Sequence, residues 1–250
     1  EGGVRIITLN RPDRLNALSV QMVWELTEVI GELERDRECV SVILTGAGRG
    51  FCAGADIKEM VEGVPKGQKR PSGGTRFSLF NRLEELGKPV IAAINGPCNG
   101  GGLELALCCD FRIASVAATI GLGEVKLGVI PAAGGTARLP RLIGPARAKE
   151  FLYFGNTVPA EDAYKLGILN KVVSPDELMP EAGRWASELA ERPPLSLRML
   201  KDCVNKGMQM SLLDAIDFES KCMGILIKSE DRMEGMKAFV EKRKPVFKGK

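Results

Sequence analysis

The chain has 250 residues, 44% hydrophobic and 27% charged, with 35 Lys and Arg against 32 Asp and Glu for a net charge of +3. A chain of that length buries about 70–75% of its extended surface in one large domain, or one domain with an appendage, and no apolar run approaches the ~20 residues of a membrane span. There is no His, which excludes Ser–His–Asp and Cys–His catalysis and the His-containing zinc sites and assigns any proton transfer to other groups.

The charge is too small to point to nucleic acid, and suits an anionic metabolite where Lys and Arg are grouped. The seven Cys include the adjacent Cys108 and Cys109 and show no C-x-x-C metal spacing. They read as buried free thiols in a reducing compartment, either a bacterial cytoplasm or a mitochondrial matrix. The first residue is Glu and no signal pattern precedes the first strand, as expected of a trimmed or processed chain.

Residues 4–9 form a short β-rich run, residues 19–35 have helical spacing behind a Ser cap, and residues 40–45 form a second apolar strand. A Gly-, Lys- and Pro-rich loop at residues 64–74 leads to a helix at 77–86, a strand at 90–95 and a Gly-rich turn into an apolar helix. Strands follow at 111–114 and 119–121, and short helices at 145–154 and 160–166. Beyond Ser174 the chain reads as helical, at 175–192, 195–208, 212–227 and 229–242. The change from alternating β and α to α alone predicts an α/β core over residues 1–190 and a helical region over 191–250.

Three segments carry the chemistry. In NGPCNGGGLELALCCD, residues 95–110, a strand gives way to Gly100, Gly101 and Gly102 and then a helix. Such a turn brings bare backbone N–H groups close to an anion or oxyanion, or is simply a tight connection. Glu104 adds to it, because its helix is apolar on every face and therefore buried. A carboxylate there is paired, protonated or turned toward a ligand cavity, and Arg112 and Arg138 are candidate ion-pair partners. In IGLGEVKLGVIPAAGGTARL, residues 120–139, Glu124 lies among glycines before a turn at residues 132–136. Taken alone it reads as a solvated loop carboxylate paired with Lys126 or Lys58, and only its association with Glu104 points to chemistry. In FCAGADIKEM, residues 51–60, Ala53, Gly54 and Ala55 leave the backbone uncovered, either for a ligand or as a helix-opening loop with Asp56 in its first turn.

Taken together, in this order and spacing, the three segments resemble the crotonase (enoyl-CoA hydratase/isomerase) superfamily over essentially the whole chain. The resemblance implies a (ββα)n spiral core followed by C-terminal helices that make oligomer contacts, as a homotrimer or dimer of trimers. It implies that the N–H groups of Ala55 and Gly101 form an oxyanion hole for a thioester carbonyl, with Glu104 and Glu124 converging on the acyl chain as the acid–base pair. Ala53, Asp56, Ile57 and Lys58 match the stretch along the coenzyme A path, with Gly100 and Ala132 also at the substrate. Lys66, Lys69 and Arg70 form a basic patch that reads equally as a solvated face.

The implied reaction is reversible addition of water to the 2,3 double bond of a trans-2-enoyl-CoA. It uses no metal and no cofactor, since coenzyme A belongs to the substrate. Two nearby carboxylates cannot both ionise easily, so one holds a proton near neutrality. Both Glu residues favour a hydratase over a double-bond isomerase. Ala132 stands where hydratases commonly have Gly, and Gly123 replaces a frequent Pro. Other classes considered are a non-catalytic acyl-CoA-binding protein, disfavoured by the Glu pair, and an RNA-binding protein. The basic tail at residues 237–250 offers one aromatic, Phe247, so phosphate attraction there is non-specific and nucleic acid is not the expected partner.

Overall fold

The computed structural model describes residues 2–63 and 76–250, and the Lys66, Lys69 and Arg70 patch lies outside them. β1 (Val4–Leu9) passes through a 3-10 turn at Pro12–Arg14 into α1 (Val20–Arg35), where the Ser19 hydroxyl accepts the Met22 N–H as the sequence leads one to expect. β2 (Ser41–Gly46) and α2 (Ile57–Glu62) follow, then α3 (Arg76–Glu85), β3 (Val90–Ile94), β4 (Cys98–Asn99) and α4 (Gly101–Leu107). Next come β5 (Phe111–Ser115), β6 (Thr119–Gly121), α5 (Gly135–Ile143), α6 (Pro145–Phe154), β7 (Thr157–Pro159), α7 (Ala160–Lys165) and β8 (Lys171–Val173). The chain ends in α8 (Leu178–Ala190), α9 (Pro194–Gly207), α10 (Leu212–Ile227) and α11 (Glu230–Glu241).

β1, β2, β3, β5 and β8 lie side by side in that order as a wholly parallel sheet, with Ile43 beside Ile91 and Ile91 beside Phe111. Both faces are covered, which is why β2 and β3 read as unbroken apolar runs. Val42, Leu44, Ala92 and Ile94 face the larger core with α1, α3 and α4, while Ile43, Ile91, Ala93 and Ile113 pack against Leu178, Ala182 and Ala186 of α8. A second sheet orders β4, β6 and β7, with β4 and β6 parallel and β7 antiparallel to β6.

Two features differ from the sequence reading. The strands β4, β7 and β8 are two or three residues long, too short for a period to register, and exist because a neighbour supplies hydrogen bonds. The turn read at residues 132–136 opens directly into α5, an element hidden by its glycine start and its internal Pro140. Six of the seven cysteines are buried and Cys203 is half-buried, none of them in a disulfide. No described helix is long and apolar enough to cross a membrane.

Residues 47–56 leave the C-terminal end of β2 and residues 95–100 leave that of β3. The C-terminal edge of a parallel sheet is where α/β folds collect ligands. Here it brings two glycine-rich backbones together.

Candidate active site

The two backbones meet at Gly54. Its φ is +100°, and a Cβ there would lie 2.9 Å from Asn99 O and 3.2 Å from Gly101 N, so a side chain would hold the strands apart. A Cβ built on Gly101 would sit 3.6 Å from Ala55 N, which places the first residue of α4 against Ala55. The backbones of Cys52 and Cys98 pair in a parallel β-bridge behind this crossing, and Asn99 N–H donates to Cys52 O at 2.9 Å. A Cβ on Gly102 would come within 2.2 Å of that same Cys52 oxygen.

Ala55 sits in a parallel bridge with Leu18. The Leu18 N–H donates to Gly54 O at 2.7 Å and the Asp56 N–H to Leu18 O at 3.2 Å. Successive N–H groups of an extended strand point to opposite sides, so the Ala55 N–H faces away from Leu18. Among the described residues, neither Ala55 N–H nor Gly101 N–H has a protein acceptor.

α4 is buried throughout from Gly102 to Leu107, as its all-round apolar sequence predicts, and Glu104 is only 4% exposed. Its Oε1 accepts the N–H groups of Ala133 at 2.7 Å and Gly135 at 2.8 Å, both where the 132–136 turn enters α5. Of the two arginines considered as partners, Arg138 pairs with Glu84 at 2.7 Å. Arg112 donates to the carbonyls of Ile168, Ala106 and Cys109.

Glu124 opens a 3-10 turn, Glu124–Leu127, and is half-buried. Its Oε1 lies 3.0 Å from the position of a Cβ on Gly100, one residue before Gly101. Its Oε2 is buried without a hydrogen-bond partner among the described residues. Burial pushes the carboxyl above the usual range, and the Glu104 charge adds to that against the opposing pull of Glu124's own N–H. The two lysines read as its partners meet other residues: Lys126 bonds Asn156 at 3.0 Å and Lys58 pairs with Glu62 at 3.8 Å.

The structure thus brings Ala55, Gly100, Gly101, Glu104 and Glu124 together around the start of α4. Gly100 N–H is tied to Gly121 O at 2.9 Å, and Ala53 N–H to Leu15 O at 2.9 Å. Ala132 is exposed at the turn, next to the Ala133 that holds Glu104. Ile57 and Lys58 point outward from the first turn of α2. Asp56 is the N-cap of that helix and its carboxylate is shared between the Glu59 N–H and Arg11. Burial would raise its pKa, but these partners hold it below the ordinary value. Cys108 and Cys109, just past the end of the helix that carries Glu104, are not thiolates near neutral pH, because burial pushes Cys108 far up and Cys109 up to about 12.

Sequence reasoning missed the backbone donors Ala133 and Gly135, apolar or featureless residues with nothing to announce a carboxylate. It also missed residues 11–18, which brace the Ala55 segment. There the signal is present, in an Asn16 that is 0% exposed and must spend its amide on the fold.

The family model described as enoyl-CoA hydratase/isomerase matches residues 1–250. A short-chain-enoyl-CoA hydratase of Clostridium acetobutylicum is 46% identical over 98% of this chain and 94% of its own. A crotonyl-CoA hydratase of Syntrophomonas wolfei is 40% identical over 99% of this chain and 95% of its own. The crystal structure of an enoyl-CoA hydratase from Bacillus anthracis superposes with a TM-score of 0.93 at 41% identity, covering 99% of this chain and 96% of that one. The fold is therefore the crotonase fold, and the chain belongs to the enoyl-CoA hydratase/isomerase family of the crotonase superfamily.

Proposed function

We propose that this protein is an enoyl-CoA hydratase that adds water reversibly across the 2,3 double bond of a trans-2-enoyl-CoA. The observation that carries the reading is the meeting of two N–H groups without acceptors among the described residues, on Ala55 and Gly101, with two carboxylates in different environments. The names of the relatives, short-chain-enoyl-CoA and crotonyl-CoA hydratase, support the same substrate class.

In this reading the thioester carbonyl lies between Ala55 N–H and Gly101 N–H, and the enolate oxygen that forms on attack accepts both. Each such donor is worth about 3–4 kcal/mol in a transition state. Glu104, fixed by Ala133 and Gly135, takes a proton from the water whose oxygen bonds the β-carbon. Glu124, whose carboxyl burial and the Glu104 charge push above the usual range, delivers a proton to the α-carbon. Positioned proton transfer of this kind contributes roughly 10²–10⁴-fold. One water is consumed, no electrons leave the substrate, and the exchanged protons return to the pair through solvent. The chemistry calls on no resident metal or cofactor. Ala53, Ile57, Lys58 and Ala132 border the path of the nucleotide and acyl parts, with Gly100 beside Glu124.

Several further readings belong with this one. The apolar side chains exposed on the last three helices, Leu200 at 63%, Leu213 at 77% and Phe239 at 86%, support a homotrimer or dimer of trimers. The free cysteines support a reducing compartment, bacterial cytoplasm or mitochondrial matrix.

Replacing each carboxylate in turn, Glu104→Gln and Glu124→Gln, tests the activity with crotonyl-CoA, followed by loss of the enoyl absorbance. Each variant is expected to lose at least ~10²-fold in kcat. Near-normal turnover in either, or double-bond movement without hydration in the parent protein, would overturn the hydratase reading.

A further inference from the structure

The loop joining β1 to α1 is built more tightly than a connection requires. Leu15 and Asn16 both take positive φ, 49° and 56°, which is uncommon for Asn and costly for Leu. The buried Asn16 side chain holds the turn, accepting Arg11 N–H at 2.8 Å and donating to Ala47 O at 3.0 Å and Gly50 O at 2.7 Å. The turn presents three backbone groups to the 53–56 segment: Leu15 O to Ala53 N–H, Leu18 N–H to Gly54 O, and Leu18 O to Asp56 N–H.

One side chain spans this contact. Arg11 donates from Nη1 to Ala17 O at 2.6 Å, on the loop, and from Nη2 to Asp56 Oδ2 at 2.9 Å, on the facing segment. The other Asp56 oxygen accepts Glu59 N–H at 3.1 Å, and Glu59 reaches back to Val20 N–H at 2.8 Å. The peptide of Ala55 is therefore gripped from both flanks, while its own N–H points out of the contact. A side chain on the segment immediately beside that N–H is thus committed to a guanidinium that no other part of the reaction uses.

We propose that Arg11 is a positioning residue for the Ala55 N–H: its guanidinium, bound at once to Ala17 O and Asp56 Oδ2, sets the direction in which that N–H points. The inference rests on the reading of Ala55 and Gly101 as donors to the thioester carbonyl. A donor displaced by ~1 Å in such a site costs on the order of 10²-fold, and loosening one of two flanking restraints costs less, about tenfold in kcat, with KM changing by less than about threefold because the donor acts most on the enolate.

The test uses Arg11→Gln, Asp56→Asn and the double variant. Asn caps a helix nearly as well as Asp, so Asp56→Asn removes the ion pair, keeps α2 capped and remains informative where Arg11→Gln fails to fold. The readouts are kcat and KM for crotonyl-CoA, and the infrared carbonyl stretch of bound butyryl-CoA labelled with ¹³C at the thioester carbon. This saturated thioester occupies the site without reacting. The parent protein is expected to lower that frequency on binding, each single variant to lose part of the lowering together with about tenfold in kcat, and the double variant to be no worse than either single one. A parent-like carbonyl shift and kcat in both single variants would overturn the inference, as would a kcat loss with an unchanged carbonyl shift. No carbonyl shift in the parent protein itself would instead bring down the reading of Ala55 and Gly101 as donors, and the inference with it.

Discussion

Removing the charge of the two carboxylates should move stability in opposite directions. Glu124 has a buried oxygen without a partner among the described residues and a pKa raised above its usual value of 4.5, first by burial. Gln leaves a polar atom there but removes the charge, and a charge buried without a partner costs on the order of a few kcal/mol, discounted to about 1 kcal/mol here because the side chain is only half-buried. Glu124→Gln is therefore expected to raise Tm by roughly 2–4 °C near pH 8. Where the folded pKa is raised, the native state binds the extra proton, so this group's contribution is fully present below pH 4.5 and is lost as pH rises through the folded value. The Tm gap over the parent protein should accordingly be near zero at pH 4.5 and grow with pH until it levels off. Glu104 is the opposite case, with Oε1 accepting two backbone N–H groups at 2.7 and 2.8 Å. Gln keeps the acceptor but replaces two charge-assisted bonds with neutral ones, a loss of about 1 kcal/mol each, so Glu104→Gln should lower Tm by roughly 4–8 °C. Scanning calorimetry of the three proteins from pH 4.5 to 8 decides the matter, because titrations common to all of them cancel in the differences. A Glu124→Gln protein no more stable than its parent at pH 8, or a gap independent of pH, would refute the assignment of the buried proton to Glu124.

Gly102→Ala should cost at least about 2–3 kcal/mol by urea unfolding, because its Cβ would come within 2.2 Å of Cys52 O, the oxygen that accepts Asn99 N–H. Gly183→Ala, in α8 with nothing within 4 Å of the new Cβ, should instead gain about 0.4–1 kcal/mol; equal effects at the two sites would show that backbone crowding at the crossing does not matter. Sedimentation velocity should find three or six copies together, and Leu213→Glu combined with Phe239→Glu should release monomers. A parent protein that sediments as a monomer would refute the assembly.

Which parts of the molecule were legible in the sequence follows from where the determining information resides. Both boundaries of α6 and the start of α10 could be read directly, as a run opened by Pro145 and closed by Gly155 and a run opened by the Ser211 cap, because local chemistry fixes those ends. The burial of α4 was equally readable, since a helix apolar on all sides has no face to give to water. By contrast β4, β7 and β8 owe their existence to Gly121, Ile120 and Ser115 on neighbouring strands, and nothing within two or three residues encodes a distant partner.

The same distinction divides the site. That Glu104 needed satisfying was a local inference, and it held. What hydrogen-bonds its Oε1 was not local: two backbone N–H groups that the turn into α5 delivers from 29 and 31 residues away, while Arg138, one of the arginines that side-chain reasoning had looked to, feels its charge. A guanidinium is a recognisable letter in a sequence, whereas a backbone donor is available at every residue except proline. The N–H groups of Ala55 and Gly101, proposed as donors to the thioester carbonyl, obey the same logic, for an N–H becomes a binding group only when the fold leaves it without an acceptor. The residues that do so are the ones that occupy its neighbours: Leu18, which takes up the groups on either side of Ala55 N–H, and Arg11, which closes the contact through Asp56. In this fold the chemistry of the backbone is therefore written in side chains one step removed from it, and Arg11 is the place where that dependence can be broken without touching any group assigned to the substrate.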